Sequence, residues 1–393
     1  MRRGVPVLFV FTVVGFLLLL STQAFAVPAF ARAYGVACNA CHTAWPALNA
    51  TGRSFKENGY MMERGEPKEQ MKLADKLTLP KIFPLALVVK LRPFDEKKDG
   101  PKKLRSLHEL EIFFAGNVFR YGSFFGELEL EDENDFEVET ALGVVGFHPH
   151  PLFSIVMGKG AVFHADPYDS LSNARRLTRS SRAPMAQGFS TKVPLQDEHQ
   201  MVGFYGRETL LNRLFYSLTY SADVADNEGE GPKDLSGRLA FNILPDLMIG
   251  AFVSTGSQDT TSGGVTKELD FDRVGIDAQA RFGGLNLLGT FLWATDDLFT
   301  GGDERNNAWY LEAFYTIEED KLKGIPLFMV VPLVRVDGYQ KNDGKDDFLD
   351  LTLNLGFYPW QNVKLFVEYF TSLDRPNGVT NDWRWTVEAA VAF

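Results

Sequence analysis

The stretch from Asp382 to Phe393 alternates with a period of two: Trp383, Trp385, Val387, Ala389, Val391 and Phe393 fall on one side. Asp382, Arg384, Thr386 and Glu388 fall on the other, giving way to Ala390 and Ala392. A period of two is that of a strand, whose successive side chains point to opposite faces. Leu349, Leu351, Leu353, Leu355 and Phe357 repeat the rule against Asp350, Thr352, Asn354 and Gly356. A soluble antiparallel sheet alternates too, so two strands do not fix the class. After residue 26, however, nothing approaches the ~18 consecutive apolar residues of a membrane-spanning helix. If this chain crosses a membrane, strands closed into a barrel must do it. With 13% aromatic residues, 35 Gly and 23% charged residues, the composition favours a β-rich fold with many tight turns.

Candidate strands start near residues 82, 104, 123, 136, 151, 198, 212, 235, 246, 269, 284, 307, 325, 348, 362 and 383. That predicts a transmembrane antiparallel β-barrel of about sixteen strands, an even number as single-chain barrels require, over residues 79–393. With the C-terminus on the periplasmic side, the outer connections are 93–103, 164–197, 223–234, 256–268, 296–306, 338–347 and 373–382, long and rich in Gly, Asp and Asn. The inner ones, such as Tyr121-Gly122, Leu244-Pro245-Asp246, Phe282-Gly283-Gly284 and Trp360-Gln361, are short. Connection 132–135 breaks this rule, being short on the outer side. The terminal Phe393 resembles the assembly signal of outer-membrane barrels, so the expected location is the outer membrane of a Gram-negative bacterium.

The N-terminus reads as an export signal. Arg2 and Arg3 precede an apolar run from Val5 to Leu20, and Ala24-Phe25-Ala26 is a small-x-small cleavage site. Residues 1–26 are expected to be removed. The formal charge of −11 becomes more negative once the two arginines leave, a balance that excludes nucleic acid as a partner and favours cations.

The two cysteines fall in Cys38-Asn39-Ala40-Cys41-His42, the C-x-x-C-H attachment pattern for haem. Both thiols would form thioethers to one haem c, with His42 as proximal iron ligand. A thioredoxin-like site needs a βαβ context and a zinc site needs four ligands, and this short segment has neither. Residues 27–78 are thus expected to form a small monohaem cytochrome segment, with a helix around Thr43 to Asn58 ending at Gly59, where glycine allows a left-handed cap. It is too small for a large core of its own and must lean on something else. The distal ligand stays open: Met61 or Met62 would suit a Met/His iron, with His108, His148, His150, His164 or an open position as alternatives.

Carboxylates recur opposite apolar residues on three successive strands. They are Glu109 and Glu111, then Glu127, Glu129 and Glu131, then Glu137 and Glu139, set against Leu110, Leu128 and Phe136. If the apolar side meets lipid, they line one wall of the lumen as a cation conduit. The plain alternative is a solvated wall. Like charges side by side call for compensation, and Arg175, Arg176, Arg179 and Arg182 of connection 164–197 would supply it by folding inward.

The run Pro28-Ala29-Phe30-Ala31-Arg32-Ala33-Tyr34-Gly35-Val36-Ala37, the C-x-x-C-H motif, and Trp45-Pro46-Ala47-Leu48-Asn49-Ala50-Thr51-Gly52-Arg53-Ser54-Phe55-Lys56-Glu57-Asn58-Gly59-Tyr60 together resemble the start of the fused outer-membrane cytochrome-porins of iron-oxidising bacteria. The resemblance implies haem attachment at Cys38 and Cys41, ligation by His42, electron uptake from an extracellular donor such as Fe(II), and delivery to a periplasmic cytochrome. Over the barrel it is one of architecture and length. Competing expectations are a solute- or ion-selective porin with a haem-bearing plug, and a haem-based sensor or electron exporter.

Overall fold

The computed structural model describes residues 29–67, 70–224 and 228–393; the expected leader, residues 1–26, lies outside them. A closed antiparallel barrel dominates. Its strands are β1 (Leu85–Lys97), β2 (Lys103–Phe119), β3 (Gly122–Glu131), β4 (Glu139–His150), β5 (Phe153–Ala161), β6 (Glu198–Arg207), β7 (Leu214–Ala222) and β8 (Lys233–Leu244). They continue as β9 (Leu247–Ser262), β10 (Val265–Phe282), β11 (Leu285–Asp297), β12 (Asp303–Tyr315), β13 (Met329–Lys341), β14 (Asp346–Trp360), β15 (Val363–Asp374) and β16 (Trp383–Ala392). The two-residue strand Ile317–Glu318 extends the edge of β12 onto β13. The ring closes where β16 pairs with β1, and the backbones of Phe393 and Leu87 exchange two hydrogen bonds there. The predicted pairing of strands thus holds around the barrel.

Alternation sorts the two faces. Leu218, Leu239, Ile249, Val274, Leu311 and Trp385 are exposed outward. Ser217, Thr219, Ser236, Thr352, Asn354 and Thr386 are buried inward. An apolar exterior around a polar interior is the pattern of a barrel in lipid, where every backbone group must be paired within the sheet. Among the described residues no helix is long and apolar enough to cross a membrane.

Three expectations need correction. The strand placed from residue 136 begins at Glu139 instead, because a 3-10 turn over Asp132–Asn134 and left-handed backbone at Asp135 and Phe136 carry the chain round. The connection 256–268 is not a loop: β9 and β10 run on past the wall as a hairpin whose turn is Gly263-Gly264, both glycines at positive φ. The helix expected over 43–58 is shorter. His42–Ala44 and Ala47–Leu48 form a small ladder around Trp45-Pro46, and the helix α2 (Ala50–Glu57) starts only after Asn49, whose side chain caps it by accepting from Gly52 N at 3.0 Å. Its end matches the expectation, with Gly59 at φ 72°.

The N-terminal segment contributes α1 (Ala29–Tyr34) and α2; a separate hairpin, Gln70–Ala74 with Leu77–Pro80, precedes the barrel. The segment lies in the mouth at the short-turn end. Asn39 N reaches Gln361 Oε1 at 3.2 Å, Tyr358 Oη donates to Trp45 O at 2.9 Å, and Asn117 Nδ2 donates to Gly59 O at 2.8 Å. Connection 162–197, with the short helix α3 (Ala183–Ala186), folds inward and fills the lumen. Met185, Tyr168, Leu177 and Arg182 are fully or almost fully buried. Two apolar clusters join this loop to the wall: Val162, Phe163, Leu171, Met185 and Leu195 with Phe252 and Leu292, and Ala165 and Tyr168 with Val156, Tyr205, Phe215, Ala240 and Met248. A third joins all three parts, with Ala44 and Ala47 of the segment, Leu177 of the loop, and Tyr310, Phe314 and Tyr358 of the wall. Such apolar packing is that of a protein interior, not of a water-filled channel.

Candidate functional site

The backbone around the cysteines is fixed locally. Cys38–Ala40 form one 3-10 turn, and Asn49 spans the motif: its Nδ2 donates to Asn39 O at 3.0 Å and Ala40 O at 3.1 Å, while its N–H donates to Cys41 O at 2.9 Å. Gly52 lets α2 approach, since a Cβ there would lie 2.1 Å from Cys41 O. Both cysteines are free thiols with partly accessible surface. Burial pushes both thiols up, and at Cys41 the neighbouring Cys38 adds to the rise.

His42 Nδ1 lies 3.1 Å from Pro46 O. A carbonyl only accepts, so Nδ1 carries the hydrogen and the lone pair remains on Nε2. Metal-ligating histidines are oriented in this way by a backbone carbonyl on the other ring nitrogen. Burial lowers the His42 pKa, outweighing the Pro46 carbonyl and Asp169, which favour the cation. The imidazole is therefore held neutral, the form that binds a metal.

The loop packs on the segment beside this motif. Leu48 N donates to Asp169 Oδ2 at 3.0 Å and Lys56 Nζ to Asp166 O at 2.8 Å. Arg175 is held by Asp169 Oδ1 at 2.7 Å and by Asp166 O at 3.2 Å. His42, Lys56, Tyr60, His164 and Arg175 all keep accessible surface. Yet lost hydration is the largest cause that lowers His42, Lys56 and His164 and raises Tyr60. Loss of hydration disfavours the charged form of each of these groups. Two thiols and an imidazole with its lone pair on Nε2 make up a donor set that fits a covalently attached haem.

The other predicted ligands are scattered. Met61 has no exposed surface and Met62 is partly accessible. His148 is buried with both ring nitrogens engaged, Nε2 with Ser123 Oγ at 2.7 Å and Nδ1 with Tyr205 Oη at 2.9 Å. His150 is exposed at the β4–β5 turn, and His108 pairs with Asp132 near the long-loop end of β2, Nδ1 to Oδ1 at 2.8 Å.

Five of the seven glutamates, Glu109, Glu111, Glu127, Glu129 and Glu131, lie side by side on β2 and β3. Glu109 pairs in register with Glu131, Glu111 with Glu129, and Phe113 with Glu127. Phe125, on the same face of β3, packs on Tyr60 within the mouth, which makes that face the lumen. Carboxylate oxygens of Glu109, Glu111 and Glu129 lie within 4.8 Å of one another. Glu139 is exposed at the start of β4 and opposite Glu129, whereas Glu137 lies in the preceding turn and is no part of the wall. The expected partners are different ones. Arg182 pairs with Glu312 at 2.7 Å, Arg179 with Asp95, Arg175 with Asp169, and Arg176 bonds loop carbonyls. The counter-charge for the acidic wall is Lys90 of β1, 2.9 Å from Glu109 and 2.5 Å from Glu111. Lys90 could have been found in the sequence, since it shares the inward parity of Ala86 and Val88.

No protein-family model matches the chain, and no curated protein matches it by sequence. Solved structures match its shape. The chain is similar to OmpF of Salmonella typhi in complex with daunomycin, at a TM-score of 0.58 and 12% identity over 82% of this chain and 100% of that one. It is also similar to a loop-deletion mutant of OmpT of Vibrio cholerae, at 0.56 and 12% over 79% and 99%. A third likeness is to an anion-selective porin from Comamonas acidovorans, at 0.54 and 15% over 79% and 98%. With its apolar exterior and closed sixteen-strand ring, the chain is a β-barrel of porin fold that belongs in the outer membrane of a Gram-negative bacterium.

Proposed function

We propose that this chain is an electron-transfer protein of the outer membrane, a monohaem c-type cytochrome built into the mouth of a porin barrel. It takes electrons from an extracellular donor such as Fe(II) and passes them to periplasmic carriers. The observation that carries this reading is the pairing of a C-x-x-C-H motif with a His42 whose Nδ1 lies 3.1 Å from Pro46 O, which puts the lone pair on Nε2. Bound there, a haem supplies a one-electron couple.

The residues divide the work. Cys38 and Cys41 anchor the group, His42 holds the iron, and Lys56 and Arg175 offer positive charge beside it. The lumen-filling loop keeps solutes from passing, so that charge rather than mass crosses the barrel. The acidic wall, offset in part by Lys90, raises the local concentration of a cationic donor.

The test is the mass of the purified outer-membrane protein, which should equal the polypeptide from Val27 plus one haem. On intact cells, Fe(II) should bring up the reduced haem band and Fe(III) should bleach it. A bare-chain mass from cells with working haem-attachment machinery overturns the reading. The second reading, an ion- or solute-selective porin with a haem-bearing plug, draws on the porin fold of the structural relatives. It requires solute flux through the barrel, which conductance in planar bilayers measures.

A further inference from the structure

A distal ligand needs an unpaired donor atom with accessible surface where the lumen-filling loop packs on the N-terminal segment. Of the six histidines, His42 is the proximal candidate. His148 has both nitrogens engaged, His150 is exposed at a turn, and His108 and His199 are buried, with His108 bonded to Asp132 and His199 to Ala222 O. Met61, without accessible surface, faces no space at all.

His164 is different. Its flanking residues are both fixed to the barrel wall, Phe163 in the cluster with Phe252 and Ala165 in the cluster with Tyr205 and Phe215. Its backbone is held in a tight turn by His164 N to Ala161 O at 2.7 Å and Asp166 N to Phe163 O at 2.9 Å. Two residues on, Asp166 O receives Lys56 Nζ from α2, and Lys56 lies one turn from Gly52, which touches Cys41. Among the described residues the His164 imidazole makes no hydrogen bond, and it retains accessible surface; Lys56 and Arg175 are the charges it feels.

The geometry points to His164 of the lumen-filling loop as the distal ligand of the haem iron whose proximal ligand is His42. This assignment rests on the cytochrome reading above. It makes the loop that fills the pore the same loop that grips the iron. Two imidazoles also give the iron a lower reduction potential than a Met/His pair, because a methionine ligand raises it.

The experiment uses the full-length holoprotein purified from outer membranes, with electron paramagnetic resonance and absorption spectra of the oxidised form. The wild type should give the low-spin signature of two imidazoles. His164→Ala should keep its haem by mass and turn high-spin, and added imidazole should restore the low-spin state, which shows that the pocket is intact. His164→Met should raise the reduction potential, whereas Met62→Leu should change neither spectrum nor potential. A haem-bearing His164→Ala protein with the wild-type spectrum, or loss of the low-spin signal in Met62→Leu, overturns the assignment alone. A wild-type chain without attached haem overturns the cytochrome reading and this assignment with it.

Discussion

Glu57 and Arg207 meet in a two-point ion pair, Arg207 Nε to Glu57 Oε2 at 2.7 Å and Nη2 to Oε1 at 2.6 Å. The pair fastens the last turn of α2 to the end of β6, and only about 11% of either side chain is exposed. Removing one partner strands the other charge in a nearly dry site at a cost of ~3 kcal/mol. Glu57→Gln should therefore loosen the segment while leaving the barrel intact. Limited proteolysis checks this: cleavage within residues 29–67 should speed up, with heat-modifiable gel mobility unchanged. Equal cleavage rates would mean that the apolar contacts alone hold the segment.

Gly52 is the contact point between α2 and the motif. Gly52→Ala forces a Cβ into Cys41 O, and because that neighbour is backbone the helix must move away. Haem content per chain should fall at least severalfold, read by haem stain against total protein. Arg53→Ala, next to it on α2, serves as the control and should keep wild-type haem content.

The acidic wall should act on donors by charge. Replacing Glu109, Glu111, Glu127, Glu129 and Glu131 by Gln is expected to slow haem reduction by Fe(II) about tenfold at low salt. The difference should fade toward ~1 M salt, where the screening length is ~3 Å. Reduction by a small uncharged reductant should be unaffected. If the Gln variant assembles normally and still takes electrons from Fe(II) at the wild-type rate in low salt, the wall plays no part in donor entry.

The packed lumen sets an expectation for ion flow. In planar bilayers the wild type should conduct far less than an open porin of the same strand number. Replacing residues 165–195 by a short Gly/Ser linker should raise conductance at least tenfold, because the wall clusters around Met185 and Tyr168 then lose their fillers. A wild type with full porin conductance would favour the solute-pore reading.

Phe393 should matter for assembly, since its backbone completes the seam with Leu87. Deleting it is expected to leave haem-bearing protein in the periplasm or degraded. Fractionation and gel mobility measure this, and normal outer-membrane levels would count against the seam's role.

The barrel was readable because parity is a strong signal: Leu353 and Leu355 outward, Thr352 and Asn354 inward, needs no knowledge of the far wall. The C-x-x-C-H pattern is legible because its five residues are contiguous, and the haem it suggests belongs to the proposal above. What failed depended on backbone conformation or on distant partners. Phe136 looks like a strand residue by its neighbours, but its left-handed backbone makes it part of a turn. The glycine turn at residues 263 and 264 looks like the middle of a loop, yet it caps a long hairpin. Inward folding of 164–197 followed from its length and charge. Its ion-pair partners did not, because Arg182 to Glu312 joins residues 130 apart and nothing local encodes that choice.

Of the contacts that dock the N-terminal segment, Gly59 to Asn117 and Glu57 to Arg207 span 58 and 150 residues, whereas Asn39 to Gln361 and Trp45 to Tyr358, 322 and 313 residues apart, span nearly the whole chain. Contacts of such separation form late. The seat of the N-terminal segment is thus complete only once β14 and β15 have been laid into the wall. On the proposed reading, a haem attached to Cys38 and Cys41 before that point meets no finished wall. The topology thus favours attachment first and closure second, an order that follows only if the proposed haem is present.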